Sequence, residues 1–404
     1  MPIVFHIFAN AALGKGLSGS DRIFIEISKR LCKRLKVYIH VWEEGYQMCL
    51  SQGLNTSDDI KFNVINVSFW CRFGFTVCYL ARIILAVKEA LFLKIPPEKQ
   101  VVFYSASEFW MDSLPAFILK IRFPKSVWVA AWFQTAPNPL TGFTKGDRQT
   151  TYKLAAFYYW LMQFPMKPLI GKFADLVLVN NEGERAQFPK MNTENRVVVM
   201  LGAINFKEIE NWIHLHGLGK DKTYDAVFQG RFHPQKGVVE LIEIWKLVVE
   251  RLPRAKLAMI GDGPLMNDVR AKIESSSLSH NVKLFGYIFD GPEKYGIFAS
   301  SKIVVHPAFY DSGGMAAAEA MAFGLPCVGF DLDSYKSYYP KGMVKVRIGD
   351  LKGFADKIVE LIRNLEIRNQ IGEEAQKMIK KNWSWEQRTN LLIVRIEELI
   401  AKRS

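Results

Sequence analysis

The chain has 404 residues, 49% of them hydrophobic and 23% charged, which excludes a disordered protein and exceeds what one hydrophobic core usually takes, so two domains are expected. The formal net charge is +13, and most of it sits early: residues 1–205 carry 24 Lys and Arg against 15 Asp and Glu, residues 206–404 carry 29 against 25. Such a bias suits an anionic partner, a phosphate or a membrane face, while basic residues that cluster in no recognisable motif argue against nucleic acid.

From the first residues, MPIVFHIFAN enters a strand with no charged segment before an apolar one, so no secretory signal is expected. Apolar, β-rich runs follow at 3–9, 36–42, 101–106, 127–133, 176–180 and 196–200, with helical spacing between them at 20–35, 70–94, 112–121 and 150–172. Residues 201–225 are polar and Lys-rich and read as an interdomain connection. A second series begins with AVFQG and continues through AKLAMIG, NVKLFG, KIVVHP and PCVGF, and the segments 351–381 and 384–402 read as helices. Continuous apolar strands alternating with helices mean βαβ units and parallel sheets covered on both faces. Ligands bind such sheets in the crevice at the carboxyl ends of their strands. No run of 18 apolar residues exists, so no spanning helix is expected. The five cysteines (Cys32, Cys49, Cys71, Cys78, Cys327) form no CxxC pair and are odd in number. A disulfide framework and a zinc site are therefore not expected, and a reducing, cytoplasmic setting is.

The most informative stretch is HPAFYDSGGMAAAEAMAFGLPCVGF, residues 306–330. Its glycines, Gly313 and Gly314, let backbone approach a ligand, and an Ala-rich helix runs from Met315 to Phe323. The N-terminus of a helix favours an anion. Glu319 leans back toward that end, where a carboxylate accepts hydroxyls rather than phosphate. Asp311 precedes the glycines, so the two acids flank the anion site and could grip the two sugars of a sugar nucleotide. On the loop after the first strand of the second series, FQGRFHPQKG (228–237) offers Arg231 as a two-pronged phosphate donor and Lys236 as a compact charge. IGDGP (260–264) closes the next strand, with Asp262 placed to cap a helix and Pro264 suited to its first position. In GKGLSGSDRIFIEISKRL (14–31), Gly19 allows a close approach at the start of an amphipathic helix.

The segment 306–330 resembles the acid-x7-acid signature of the retaining GT-B glycosyltransferases of family 4, with Asp311 in place of the first Glu, Glu319 in place of the second, and EAMAFGLP matching almost letter for letter. The resemblance covers nearly the whole chain, specifically in the second half. It implies an α/β protein of two Rossmann-like domains facing a central cleft: an acceptor-side domain at 1–205, a nucleotide-sugar-binding domain at 206–383, and a C-terminal helix, 384–404, crossing back to the first. It implies a nucleotide-diphosphate sugar donor, no cofactor and no metal, even though DLD (331–333) has the form of a metal-binding pair. Asp311, Glu319 and Gln134 take the catalytic positions, Gln134 standing where the family commonly has a His. Arg231, Lys236, Gly313, Gly314, Met315, Gly19, Gly263 and Tyr287 are expected to bind the donor. The aromatic, basic segments 69–96 and 152–173 suggest an acceptor that is lipid-linked or otherwise membrane-held, a saccharide being the other class, and a protein peripheral to an anionic membrane face. A GT-B-like sugar-nucleotide epimerase and a non-catalytic sugar-nucleotide-binding homologue are the alternative readings.

Overall fold

The computed structural model describes residues 3–12, 17–96, 100–143, 151–219 and 222–403, in two units. The first comprises Met1–Ala136, Phe157–Gly202 and Trp385–Ser404. Its sheet holds β1 (Ile3–Phe8), β2 (Lys36–Trp42), β3 (Ile60–Ile65), β4 (Gln100–Ser105), β5 (Val127–Trp132), β6 (Leu176–Val179) and β7 (Val197–Val199). All pair in parallel, in the order β3-β2-β1-β4-β5-β6-β7. The chain builds outward from β1 to β3, then restarts on the other side of β1 with β4, so the topological switch lies between β1 and β4. Phe8, Phe103, Trp128 and Trp132 fill the core against surrounding helices, and every residue of β5 is buried, as expected of a strand covered on both faces.

The second unit comprises Pro137–Ala156 and Ala203–Ser384. Its parallel strands are β8 (Tyr224–Gln229), β9 (Leu257–Ile260), β10 (Val282–Gly286), β11 (Ser301–His306), β12 (Cys327–Phe330) and β13 (Met343–Val346). They are ordered β10-β9-β8-β11-β12-β13, which repeats the same switch between β8 and β11. Trp245, Phe228, Phe309, Phe330 and Phe354 pack its core. Segment 137–143 joins this unit through Phe143, whose ring stands edge-on to His233 and Tyr310 at 5.8 and 5.7 Å.

Several expectations are corrected. Residues 201–225 are not a plain connection: the helix Phe206–His216 occupies the middle, with Ile209 buried and Trp212 packed on Tyr295 and Phe323. Its polar outer face hid its apolar stripe. The segment 70–94 is two helices, Ser68–Cys71 and Phe75–Phe92, parted at Gly74 (φ 97°). Segment 150–172 likewise yields Lys153–Gln163 and Met166–Phe173, the second starting just after Pro165. Segment 351–381 breaks at Asn364, whose side chain accepts the Ile367 N–H and caps the second helix. Cys71 and Cys78 are disulfide-bonded across the Gly74 break, contrary to the expectation of no disulfide, while Cys32, Cys49 and Cys327 are free. The helix Trp385–Ala401 belongs to the first unit, where Arg30 pairs with Glu386 at 3.0 Å and Arg403 donates to Asp175 and to the Ser126 carbonyl. Among the described residues no helix is long and apolar enough to cross a membrane.

Candidate active site

The second unit gathers most of the expected residues at the carboxyl ends of β8 and β11. The chain leaves β8 at Gln229, passes the exposed Arg231, and makes a short turn, Pro234–Lys236, before the helix Val238–Val249. Gly237 joins turn to helix in the left-handed conformation (φ 64°). A side chain there would place Cβ 2.1 Å from the Pro307 carbonyl oxygen, so this junction admits glycine alone. The crossing fixes the FHPQKG turn against the end of β11, and Lys236 consequently points at Asp311.

Asp311 is enclosed. Its Oδ2 accepts from Lys236 Nζ at 2.6 Å, His306 Nε2 at 2.9 Å and Tyr335 hydroxyl at 3.0 Å, and its Oδ1 accepts weakly from Gly313 N–H at 3.4 Å. Burial alone would raise its pKa, but Lys236 and His306 outweigh burial and hold the carboxyl well below the usual range. His306 is pushed down, first by burial and then by Lys236, against the pull of Asp311. An ionised Asp311 accepts only, so the neutral imidazole carries its proton on Nε2, and its buried Nδ1 has no partner. Tyr335 is raised well above its ordinary value by burial and by Asp311. In this structure the Asp311 carboxylate is turned onto Lys236, His306 and Tyr335. Aspartate is one methylene shorter than glutamate, and its reach is spent on that network.

The paired glycines answer a packing demand as well. A Cβ on Gly313 would lie 2.4 Å from the Tyr338 ring, and one on Gly314 (φ 63°) 3.1 Å from His306 Nε2. Tyr339 hydroxyl donates to the Gly314 carbonyl. The helix that follows is short, Met315–Met321, and carries Glu319 on its buried side. Glu319 Oε2 accepts from Gln229 Nε2 at 2.9 Å and Lys294 Nζ at 2.8 Å.

Gly263 lies over the Phe232 carbonyl in the loop after β9. Asp262 accepts from its neighbour Gly263 N–H at 2.7 Å rather than capping a helix, and the helix begins at Met266, beyond Pro264. Tyr287 stands just past β10, half-buried and edge-on to Phe289 at 5.0 Å. Within DLD, both acids are exposed, and Asp333 pairs with Lys336 at 2.9 Å. Gly19 and Gln134 belong to the first unit. Gly19 opens the helix Gly19–Leu31 at an exposed position, behind a Ser18–Asp21 capping box. The Gln134 carbonyl accepts from Gln163 Nε2 at 2.7 Å, while its own side-chain Nε2 is buried without a partner.

Gln229, Lys294, His306 and Tyr335 were missed in the sequence. His306 had a signal, a polar residue closing the apolar KIVVH strand just before the acid. Lys294 had none, because a lysine in a short helix normally faces water.

Residues 209–378 match the family model for glycosyl transferases group 1. The chain is 27% identical over 191 residues to the poly(ribitol-phosphate) alpha-N-acetylglucosaminyltransferase of Staphylococcus aureus, a match covering 45% of this chain and 37% of that protein. It is 24% identical over 284 residues to the phosphatidyl-myo-inositol mannosyltransferase of Mycobacterium leprae, covering 68% and 72%. The chain thus spans little more than a third of the first relative's length. Among solved structures, it superposes on Anabaena HepE, crystallised with UDP and glucose, with TM-score 0.67 over 98% of this chain and 100% of the other, at 14% identity. Residues 209–378 thus resemble the glycosyl transferases group 1 family, on a chain with the GT-B fold of two Rossmann-like units.

Proposed function

We propose that the protein is a retaining glycosyltransferase that moves a sugar from a nucleotide-diphosphate sugar to an acceptor. The observation that carries this reading is that Lys236, Asp311 and Glu319 gather beside the switch of the second sheet, with Arg231 on the loop that leaves β8, all inside the family-matched segment. UDP in the HepE structure supports the donor class.

Arg231 and Lys236 would neutralise the diphosphate as it leaves, the service that a metal performs in other transferases. Glu319 would accept the ribose hydroxyls. Asp311 holds Lys236 at the site, and Lys236 can turn from that carboxylate to a phosphate with one rotation of its flexible stem. The bond between the anomeric carbon and the β-phosphate oxygen breaks as the acceptor oxygen attacks from the same face. The acceptor proton passes to the departing phosphate, so no separate general base is invoked.

For the acceptor, the surface of the first unit favours a membrane-held molecule. Phe69, Trp70, Phe73, Phe75, Ile84 and Phe92 are exposed on and between the helices Ser68–Cys71 and Phe75–Phe92, with Phe73 at 62% and Phe92 at 73%. Arg72, Lys88 and Lys94 are exposed among them, and the sole acid of the stretch, Glu89, is turned inward onto His40 at 2.7 Å. Aromatic and basic groups together suit the interface of an anionic bilayer, which supports peripheral attachment to a membrane surface.

Incubation with labelled UDP-, GDP- and ADP-sugars and lipid or saccharide acceptors tests the reaction. Label recovered in a new glycoside of unchanged anomeric configuration is the expected result. Inversion, an epimerised sugar nucleotide, or binding without turnover would each replace this reading. Flotation with anionic vesicles at low salt tests the membrane arm on its own, and protein left at the bottom of the gradient would remove it.

A further inference from the structure

Lys294, in the helix Pro292–Ala299, is a cation enclosed to 1% side-chain exposure. Its Nζ donates to Glu319 Oε2 at 2.8 Å and to Asp290 Oδ1, and lies 5.9 Å from the centre of the Phe298 ring. Asp290 keeps 31% of its side chain in water, whereas Glu319 keeps 5%. The deep carboxylate is therefore the one whose charge has no solvent to support it. An isolated buried carboxylate takes up a proton, and an adjacent ammonium prevents this. Gln229 supplies a second donor to the same oxygen, but it is neutral and cannot substitute for the charge.

We propose that Lys294 is a positioning residue of the donor site: it keeps Glu319 ionised and holds its carboxylate at the end of β8, so that nucleotide hydroxyls meet a charged acceptor in a fixed place. This rests on the reading of Glu319 as the ribose-binding acid. Lys294, from Pro292–Ala299, donates to Glu319 directly, and Asp290, from the loop before that helix, shares the same ammonium. The helix Met315–Met321 brings no other titratable side chain. Hydrogen bonds to an ionised acceptor are about twice as strong as those to a neutral one, so the charge matters directly to hydroxyl binding.

UDP binding, measured by titration calorimetry on the full chain at two pH values, tests this. The variants are Lys294→Met, Glu319→Gln and their combination. Loss of the cation should weaken UDP binding about tenfold near pH 8, through a carboxylate no longer held, and several times more near pH 5.5, through a carboxylate that has gained a proton. Glu319→Gln should weaken binding by the same factor at both pH values. The double variant should bind like Glu319→Gln alone, because Lys294 acts through Glu319. The double variant replaces a buried ion pair with two neutral groups, and such replacements are commonly tolerated. Its comparison with Glu319→Gln therefore decides the matter even should Lys294→Met fail to fold. A further tenfold loss in the double variant, or wild-type affinity and a flat pH profile in Lys294→Met, would overturn the proposal while leaving nucleotide binding intact. Wild-type protein that binds no UDP, GDP or ADP would instead remove the donor-site reading, and this proposal with it.

Discussion

Asp311→Asn is the sharpest test of the network beneath the glycine pair. The Lys236 and Asp311 side chains are 14% and 7% exposed, and removing one charge from so enclosed a pair costs on the order of 3–5 kcal/mol, because the other is left uncompensated. The amide introduced at 311 still offers an oxygen to Tyr335 or His306, so we take the lower end, about 3 kcal/mol. For a unit of this size that corresponds to a fall of about 6–12 °C in Tm. The pH dependence has a definite sign. Lys236 and His306 outweigh burial and hold the folded pKa of Asp311 well below its ordinary value. The stabilisation is thus fully present above the unfolded value, about 3.9, and is lost as pH falls below it toward the folded value. Thermal unfolding by circular dichroism should show a gap between wild type and Asp311→Asn that is constant from about pH 8 to 5 and closes only below about pH 4. Adding Lys236→Met should restore at least half of the loss, since the stranded ammonium is then gone. A variant melting within about 1 °C of wild type at neutral pH would refute the reasoning, and so would a gap that closes in the range where imidazoles titrate.

Arg231→Ala combined with Lys236→Ala should reduce donor turnover by at least about 10²–10³-fold, the cost of removing one charge-stabilising donor; radiolabel transfer at saturating donor reads it, and near-normal turnover would reject the diphosphate assignment. Glu108 in the first unit is pushed up to about 7, chiefly by burial and further by Glu184, against the Phe133 N–H and the Gln163 amide. A raised carboxyl makes the native state bind a proton that the unfolded chain releases, so stability falls as pH rises from the ordinary range to about 7. Glu108→Gln should therefore gain stability relative to wild type by up to about 3 kcal/mol between pH 5 and pH 8 in paired melts, and an equal difference at both pH values would contradict this. Gly237→Ala should lose about 2 kcal/mol or more, from a left-handed backbone and the clash with the Pro307 carbonyl, and wild-type denaturant midpoints would show that the turn can move.

The sequence disclosed the sheets better than their margins. Interior strands such as β5 and β12 are unbroken apolar runs because helices cover both faces, and such runs are easy to see. The edge strands β3 and β13 were not recognised, since IKFNVI and MVKV mix polar and apolar residues where one side meets water. Helix breaks at Gly74 and Asn364 were lost because amphipathic spacing continues across them. At the site, the spacing of Arg231, Lys236, Asp311 and Glu319 was legible, but the direction of each side chain was not. Asp311 looks like a group open to ligand until Tyr335, from a helix beyond β12, closes over it. Contacts made at separations of 24 or 25 residues, such as Asp311 with Tyr335 and Glu319 with Lys294, leave no periodic trace.

The helix Trp385–Ala401 joins the first unit although the second unit is encoded before it. During synthesis, the helix Gly19–Leu31 must wait for its partner until all of β8 to β13 has been made. The second unit can assemble from a nearly continuous stretch, whereas the first stays unfinished, with the side of its first helix uncovered. Chaperone engagement of nascent chains should therefore persist past the completion of the second sheet and end only when Trp385 and Leu392, both fully enclosed in the finished protein, have left the ribosome. Shortening the chain before Trp385 would, by the same logic, damage the unit that lies furthest from the cut in sequence.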